Sequence, residues 1–314
     1  MDGAYDQPLQ KGGDHSPVLW VCGSNGVILR SKDGGKAWKR LRVEGSDGLG
    51  LDFRGIRAFG AATALLMSVG DSGKSRIYKT TNGGETWRLQ YTDQRKEFFL
   101  DALVCLSETR CFAISDPVEG KFLLLQTEDG EHWKELSREG MPRALPGEGV
   151  FAASGTSLAI CRGNDIFFGT GGPAARVFHS PDLGSTWSVA ATPIVSGTAS
   201  AGIFSLACSG DRLAIVGGDY LNTTQPFRVA AYSLDQGASW QLSPSGPGGF
   251  RSAVAFLDKA TLVAVGPEGE DVSFDGGVNW KRSGSLNLNA VFVLDGRNIW
   301  AAGPKGTVVR YNAP

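Results

Sequence analysis

Arginine and carboxylate side chains recur together along this 314-residue chain. A guanidinium group can hold a carboxylate or a phosphate through two parallel hydrogen bonds, so Arg54, Arg176 and Arg251 are candidates for gripping an anionic ligand. A well-placed carboxyl group can give or take a proton, which is the chemistry of glycoside cleavage. The candidate carboxyl groups, with one tyrosine beside them, are Asp101, Asp116, Glu148, Asp219 and Tyr220.

These residues have two interpretations that the sequence leaves open. In the first, they line a pocket for a polar or anionic ligand, and Asp116, Glu148 or Asp219 acts as an acid or base. In the second, arginines and carboxylates pair with one another across neighbouring elements, line a water-filled channel and fix the register of those elements. Charged groups that leave water normally pair in this way, so we favour the second interpretation for most of them.

An internal repeat determines how these residues are positioned. A short motif with Ser or Thr, Asp or Asn, Gly and Trp at nearly constant spacing occurs six times. Successive tryptophans are 49, 46, 54, 53 and 40 residues apart, which is the spacing of propeller blades. The Asp or Asn and the Trp of the six copies are Asp33 and Trp38, Asn82 and Trp87, Asp129 and Trp133, Asp182 and Trp187, Asp235 and Trp240, and Asp275 and Trp280.

This motif is the Asp-box, also called the bacterial neuraminidase repeat. Its hydroxyl and carboxylate oxygens can accept hydrogen bonds from the N–H groups of the turn, and its glycine supplies the positive φ that the turn needs. The tryptophan opens the outer strand and packs back over the turn. We therefore assign the Asp-box residues a structural role and do not count their carboxylates as catalytic acids.

Apolar runs between the motifs predict the strands of each blade. In the second blade these runs are Phe53–Phe59, Thr63–Val69 and Arg76–Thr80. The segment Trp20–Arg30 matches the segment Trp300–Arg310, and both have the pattern of second and third strands. We predict an all-β protein, a seven-bladed β-propeller of four-stranded antiparallel blades with Asp-box turns.

Ring closure is the least defined part of this prediction. We expect a single β-propeller domain over residues 18–314, preceded by an N-terminal segment over residues 1–17. In such rings the N-terminal segment usually supplies the missing outer strand of the last blade, and Ala4–Gln10 is the candidate here. An imperfect closure would leave unpaired strand edges, which are a stability liability.

Propeller topology sorts the candidate residues in space. The connections into the first strands and the loops after the second strands lie on one face around the axis, here called the axial face, and the Asp-box turns lie on the opposite face. We expect the arginines and carboxyl groups to converge on the axial face from different blades, although Arg176 could instead open a third strand. Two departures from the repeat, residues 137–149 and 221–227, are loops of the kind that carry binding specificity.

Composition excludes several classes of protein. With Lys+Arg 31 and Asp+Glu 32, the chain lacks the basic excess of a nucleic-acid binder. It has no apolar run long enough for a membrane-spanning helix, and residues 1–17 show no signal-peptide pattern. The five cysteines are expected to be buried thiols, although Cys105 and Cys111 could face each other across a short turn. Zinc, P-loop and dinucleotide motifs are missing, so we expect neither a metal nor a cofactor.

From about residue 17 onward the chain resembles the photosystem II stability/assembly factor-like propellers, a sialidase-like Asp-box family. The strings that carry the resemblance include DFRGIRAF (52–59), FAISDPVEGKF (112–122), LPGEGVFAASGT (145–156), GGDY (217–220) and FRSAVAF (250–256). The resemblance implies an exported or periplasmic propeller that binds partners through an Arg-rich axial face. In phototrophic members it implies a role in assembling photosystem II.

Sialidases share the Asp-box and add a three-arginine carboxylate clamp and a Tyr/Glu nucleophile pair. By resemblance, Arg54, Arg176 and Arg251 could mimic the clamp, and the pair could be mimicked by Glu148 and Tyr220. The Arg-Ile-Pro motif of sialidases is absent, and the nearest string is Arg-Gly-Ile-Arg at 54–57. This departure argues against sialidase activity.

We predict a monomeric, non-catalytic binding or assembly protein whose axial face holds a protein partner, a polar or anionic small molecule, or a glycan. The alternative is a carbohydrate-active enzyme at the same place, either a sialidase-like glycosidase or a polysaccharide lyase. Geometry separates the two, because glycosidase chemistry needs two carboxyl groups about 5–10 Å apart in an open pocket. Arginines and carboxylates that are paired with each other would favour the binding protein.

Overall fold

A computed structural model describes residues 2–5, 16–44, 50–295 and 298–312 of the chain. Within these residues the strands form seven antiparallel sheets, and the one helical element is a short 3-10 turn at Pro304–Gly306. No helix in the described ranges has the length and apolar character needed to cross a membrane. The prediction of a seven-bladed β-propeller with mainly four-stranded blades is confirmed.

The blades follow one another in chain order, and each runs from an innermost to an outermost strand. Blade one contains β1 (Asp2–Tyr5), β2 (Leu19–Gly23), β3 (Val27–Ser31) and β4 (Lys39–Leu41). Blade two contains β5 (Asp52–Ala58), β6 (Ala64–Val69), β7 (Arg76–Thr80) and β8 (Arg88–Thr92). Blade three contains β9 (Leu100–Cys105), β10 (Cys111–Val118), β11 (Lys121–Thr127) and β12 (Lys134–Glu135).

The second half of the ring repeats this order with one addition. Blade four contains β13 (Leu158–Cys161), β14 (Asp165–Gly169), β16 (Arg176–Ser180) and β17 (Ser188–Ala191). Blade five contains β18 (Thr198–Ser209), β19 (Arg212–Asp219), β20 (Ala230–Ser233) and β21 (Gln241–Leu242), and the short β15 (Gly171–Gly172) from a loop of blade four pairs with β18. Blade six contains β22 (Ala253–Phe256), β23 (Leu262–Gly266), β24 (Gly269–Ser273) and β25 (Lys281–Gly284). Blade seven contains β26 (Ala290–Asp295), β27 (Asn298–Ala302) and β28 (Val308–Asn312).

The innermost strands form a closed ring around the axis. They contact one another in the order β1, β5, β9, β13, β18, β22 and β26, and β26 contacts β1 again. Each strand therefore has a packing partner on both sides, and the apolar clusters of the protein lie between neighbouring blades.

The N-terminal strand does not take the predicted place. We expected Ala4–Gln10 to be the outer strand of blade seven, but β1 pairs with β2, with Tyr5 opposite Leu19 and Asp2 opposite Cys22. It is therefore the innermost strand of blade one, where it pairs the backbone edge that β2 would otherwise expose. Residues 6–10 of the predicted strand lie outside the described part of the chain, and the domain division at residue 17 remains a prediction.

The Asp-boxes form compact hydrogen-bonded turns. In the first, the N–H of Gly35 donates to Ser31 Oγ at 2.8 Å, and the N–H of Ala37 donates to Asp33 Oδ1 at 2.9 Å. The other copies repeat this pattern from Thr80, Thr127, Ser180, Ser233 and Ser273. A backbone hydrogen bond from His132 lowers the pKa of Asp129 to about 2, because it stabilises the ionised carboxylate.

Each Asp-box packs against the blade that precedes it. Gly84 of the blade-two box lies against Trp20 and Leu41 of blade one, and Trp20 meets Trp87 edge to face with ring centroids 6.1 Å apart. Gly35 of the blade-one box lies against Trp300 of blade seven, which joins the first and last blades in the same way. The boxes therefore fasten neighbouring blades as well as closing their own turns.

The cysteines differ from the expectation of buried thiols. Cys105 and Cys111 form a disulfide between directly opposed positions of β9 and β10. Cys161 and Cys208 form a second disulfide, and Cys22 is buried and outside both disulfides. The favoured prediction was wrong because two of these residues are far apart in sequence and are brought together only by the packing of neighbouring blades.

Candidate functional site

An open cavity with charged groups on its walls lies on the axial face, where blades three, four and five meet. It has a volume of about 940 Å³ and is here called the axial groove. Its charged side chains are Glu97, Asp116, Glu119, Arg143 and Glu148. The loop between β10 and β11, the insertion at residues 137–149 and the loop containing β15 form its walls.

Glu148 fixes the insertion to blade four. Its side chain is fully buried and pairs with Arg176, whose Nε donates to Glu148 Oε1 at 2.8 Å and whose Nη2 contacts Oε2. The hydroxyl of Thr170 donates to Oε1 at 2.6 Å, and the N–H of Leu145 donates to Oε2 at 2.8 Å. Because both carboxylate oxygens accept several hydrogen bonds, the burial of this charge is compensated. Glu148 shapes the groove and is not free to react.

Asp116 is the carboxyl group that faces the groove from blade three. Its Oδ1 accepts a hydrogen bond from the N–H of Val150 at 3.0 Å. Burial raises its pKa to about 6, because the ionised form loses hydration. The pairing of β9 with β10 shifts register between Ile114 and Ser115, directly before Asp116. The carboxyl group therefore changes charge close to neutral pH at the floor of an open cavity.

Asp101 lies behind Asp116 on β9 and is 1% exposed. Burial first, and the neighbouring charge of Asp116 second, raise the pKa of Asp101 well above its ordinary value. Its Oδ2 atom has no hydrogen-bond partner in the described structure. This environment favours the protonated, neutral form of Asp101. The structure thus brings two of the predicted carboxyl groups together, but only Asp116 lines the groove.

The three candidate arginines each have a carboxylate of their own. Arg176 pairs with Glu148, as described above. Arg251 is completely buried, and its Nε donates to Asp271 Oδ2 at 2.7 Å while its Nη1 donates to the carbonyl of Phe250 at 2.8 Å. Arg54 lies 3.4 Å from Asp52 and lines a separate open cavity of about 370 Å³. The three guanidinium groups therefore lie in different blades, and none of them is among the residues that line the axial groove.

Tyr220 and Asp219 lie at the end of β19 in blade five and are not among the residues that line the groove. Tyr220 is 47% exposed and packs edge to face on Phe151 and Phe204, with ring centroids 6.4 and 6.1 Å apart. Phe151 and Phe204 are stacked, with centroids 3.9 Å apart. Asp219 Oδ1 accepts a hydrogen bond from the N–H of Leu221 at 3.0 Å. Leu221 is the first residue of the loop at residues 221–227.

The aromatic wall was missed at the level of sequence. Phe151 lines the groove, and Phe204 also meets Phe250 edge to face with centroids 4.7 Å apart. The signal that was available is the recurrence of phenylalanine near the start of the first strand in successive blades. Phe204 and Phe250 are only 3% and 5% exposed.

The charge of the groove is predominantly negative. Glu97, Asp116 and Glu119 face it together with one cation, Arg143, whose Nη2 donates to the carbonyl of Glu119 at 3.3 Å. Arg138 also reaches Glu119, at 3.3 Å, from the insertion. In the part of the chain that the structure describes, no three His, Cys, Asp or Glu side chains converge as a metal ion would require.

Sequence comparison places the chain among known proteins. A family model described as Photosynthesis system II assembly factor YCF48 matches residues 14–270. Photosystem II assembly lipoprotein Ycf48 of Synechococcus sp. (strain CC9902) is 35% identical over 79 residues, which are 24% of this chain and 20% of that protein. The aligned segment therefore spans about a fifth of this curated relative.

Similar solved structures show the same fold at low sequence identity. YCF48 bound to a D1 peptide has a TM-score of 0.67 and 15% identity, with 96% of this chain and 91% of that chain covered. YCF48 from Cyanidioschyzon merolae has a TM-score of 0.66 and 17% identity, with 99% and 96% covered. An ancestral GH74 enzyme has a TM-score of 0.64 and 12% identity, with 96% of this chain and 43% of that chain covered.

Proposed function

We propose that this chain, which belongs to the Photosynthesis system II assembly factor YCF48 family, is a non-catalytic assembly protein that holds an extended, positively charged polypeptide segment in the axial groove. The observation that carries the proposal is the groove itself, an open cavity of about 940 Å³ with four carboxylates and one arginine on its walls, of which only Glu148 is paired with Arg176. Complementary charge steers such partners and fixes their register.

A polypeptide fits this groove better than a small anion does. Arg176 and Arg251 are paired with Glu148 and Asp271, and Arg54 lines a separate cavity. The charged groups that line the groove are therefore mainly acidic. Glycines bring backbone close to the cavity, and a Cβ atom at Gly149 would lie 2.8 Å from Asp116 Oδ1. A relative with this fold holds a D1 peptide, which supports a peptide as the class of ligand.

The contacts of the carboxyl groups favour binding over glycosidase chemistry. A glycosidase needs a pair of carboxyl groups that both reach the sugar. Asp101 is buried behind Asp116, and Glu148 is engaged by Arg176, Thr170 and the backbone of Leu145. Of these three carboxyl groups, Asp116 is the one left to meet a substrate.

The proposal is tested with an arrayed library of decapeptides of random sequence. We expect the bound peptides to be enriched in Lys and Arg, and their binding to weaken as salt is added. The double variant D116N/E119Q should bind the best decapeptide at least fivefold more weakly, as measured by fluorescence anisotropy. The matched control is D71N, which removes an exposed carboxylate that lines the cavity beside Arg54 and should change binding less than twofold.

Three results would contradict the proposal. They are enrichment of acidic peptides, unchanged affinity in the double variant, and an absence of binding to any decapeptide by folded wild-type protein. Turnover of a labelled glycan that is lost in D116N would assign the groove to an enzyme instead.

A further inference from the structure

The seam between blades six and seven differs from the other seams of the ring. At the seam between blades five and six, Gly277 of the Asp-box lies against Ala214 and Tyr232 of blade five. At the seam between blades four and five, Gly237 lies against Phe167, which has the same position in its blade as Ala214. The box of one blade therefore covers a fixed platform on the second and third strands of the preceding blade.

Strand register identifies the same platform on blade six. Leu262 pairs with Ser273 as Leu213 pairs with Ser233, so Val263 corresponds to Ala214 and Val272 to Tyr232. Ala214 is fully buried beneath its box, whereas Val263 and Val272 are only half-buried. Among the described residues, blade seven supplies no Asp-box to cover them.

An apolar slot marks the place of the missing box. It has a volume of about 200 Å³ and is lined by Leu257, Val263, Val272, Ile299 and Tyr311, with Glu270 and Ser283 at its polar side. The hydroxyl of Tyr311 donates to Glu270 Oε1, which closes one side. A cavity of about 150 Å³ is enough to hold a benzene ring, so this slot, named the seam slot, can hold one aromatic side chain.

A strand edge lies beside the seam slot. In blades one to six the third strand pairs with a fourth, outer strand, which begins just after the Asp-box tryptophan. In the described part of blade seven, β28 pairs with β27 alone. Among the described residues nothing pairs with the outer N–H and C=O groups of β28, and addition of a strand to such an edge is a common mode of peptide recognition.

We propose that the seam slot and the edge of β28 together bind an extended segment of a partner protein, with an aromatic side chain in the slot and the following residues paired with β28. The slot continues the interface between blades six and seven, and the other seams show which side chain and which strand complete such an interface. Lys281 and Arg282 precede Ser283 on β25, and Arg310 lies on β28. All three are exposed, so acidic residues in the segment are favoured. This site is separate from the axial groove and does not depend on the function proposed for it.

The test uses a peptide that copies the box and outer strand of blade two, residues 80–92 of this chain. We expect the labelled peptide to bind the full chain in fluorescence anisotropy, and a copy with W87A to bind at least tenfold more weakly. The variant V263W fills the slot from within and should also reduce binding at least tenfold. A second variant, S283W, fills it from β25, in case the first variant fails to fold.

The matched control is L89W, which adds the same side chain at an exposed position of β8 and should bind the peptide as wild type does. Circular dichroism and thermal melting establish that each variant is folded. Equal affinity of both peptides, or wild-type affinity in folded V263W and S283W, would overturn the proposal. A wild-type dimer in sedimentation that V263W abolishes would assign the slot to a second copy of the chain and would also overturn it.

Discussion

Cys161 and Cys208 are joined by a disulfide between β13 and β18, the first strands of blades four and five, with Cα atoms 6.1 Å apart. The bond connects neighbouring blades at the ends of their first strands, on the face opposite the axial groove. Disulfides persist mainly in oxidising compartments, and the exported or periplasmic location that the family resemblance implies stays a prediction.

Removing this disulfide should cost more stability than removing the other one. Closing a loop of 47 residues restricts the unfolded chain more than closing one of 6 residues. On chain entropy alone, the loop of 47 residues contributes about 4 kcal/mol to stability and the loop of 6 residues about 2 kcal/mol. We expect C161S/C208S to lower the free energy of unfolding more than C105S/C111S does, as measured by urea denaturation without reductant. Equal losses would show that the loop-entropy argument does not hold here.

The carboxyl pair of Asp101 and Asp116 should make stability depend on pH in an unusual direction. The pKa values of both are raised in the folded protein, and that of Asp116 is about 6. Their contribution is therefore favourable at low pH and is lost as the pH rises through the folded-state pKa values. We expect D101N to be more stable than wild type at pH 7, by on the order of 1 kcal/mol, and to show little difference near pH 4.

This expectation is checked by thermal melting of D101N and wild type between pH 4 and pH 8. D71N, an exposed carboxylate variant, is the control and should follow wild type throughout. The stability difference between D101N and wild type should favour D101N more at pH 7 than at pH 4. The opposite trend would contradict the assigned effect of burial.

Arg251 should act on stability and not on ligand binding at the groove. Its guanidinium is fully buried against Asp271, so R251M leaves a buried carboxylate without its partner. Breaking such a pair costs about 3–5 kcal/mol, whereas replacing both partners is much less costly. We expect R251M/D271N to recover much of the loss in a denaturation experiment. If folded R251M instead lost decapeptide binding at unchanged stability, Arg251 would belong to the site.

The hydroxyl of an Asp-box should matter more than a surface hydroxyl. Ser233 is 1% exposed, accepts the N–H of Gly237 at 2.8 Å and donates to Asp235 Oδ1 at 2.7 Å. S233A leaves a buried N–H without an acceptor, which costs about 1–3 kcal/mol. The exposed Ser188 provides the control, since S188A should change the free energy of unfolding by less than about 0.5 kcal/mol. Equal effects of the two substitutions would contradict the assigned role of the box.

The blades were predictable because their signals are local. Asp33 and Trp38 lie within one turn, and the same short pattern recurs wherever a blade ends, so spacing alone indicates the number of sheets. The predicted strand Arg76–Thr80 coincides with β7, and Thr63–Val69 differs from β6 by one residue. The N-terminal strand was predicted at Ala4–Gln10 in the last blade, whereas Asp2–Tyr5 lies in blade one, because its place is set by the open edge of β2 and not by its own residues.

The candidate site was less predictable because its contacts join distant parts of the chain. The sequence indicated Glu148 and Arg176 as members of one face, but not that they neutralise each other across 28 residues. Nor does any local pattern show that Asp101 lies beneath Asp116, since a shift in strand register brings them together. Which charges remain uncompensated depends on these pairings, so the acidic character of the groove emerges only in three dimensions.

Each described Asp-box packs against the blade that precedes its own, so these contacts run in one direction around the ring. The described Asp-boxes cover six of the seven seams between blades. No described Asp-box covers the seam between blades six and seven, which is held together by side-chain packing. When the molecule is heated or pulled, that junction should part first, and the wheel should open there into a chain of still-folded blades.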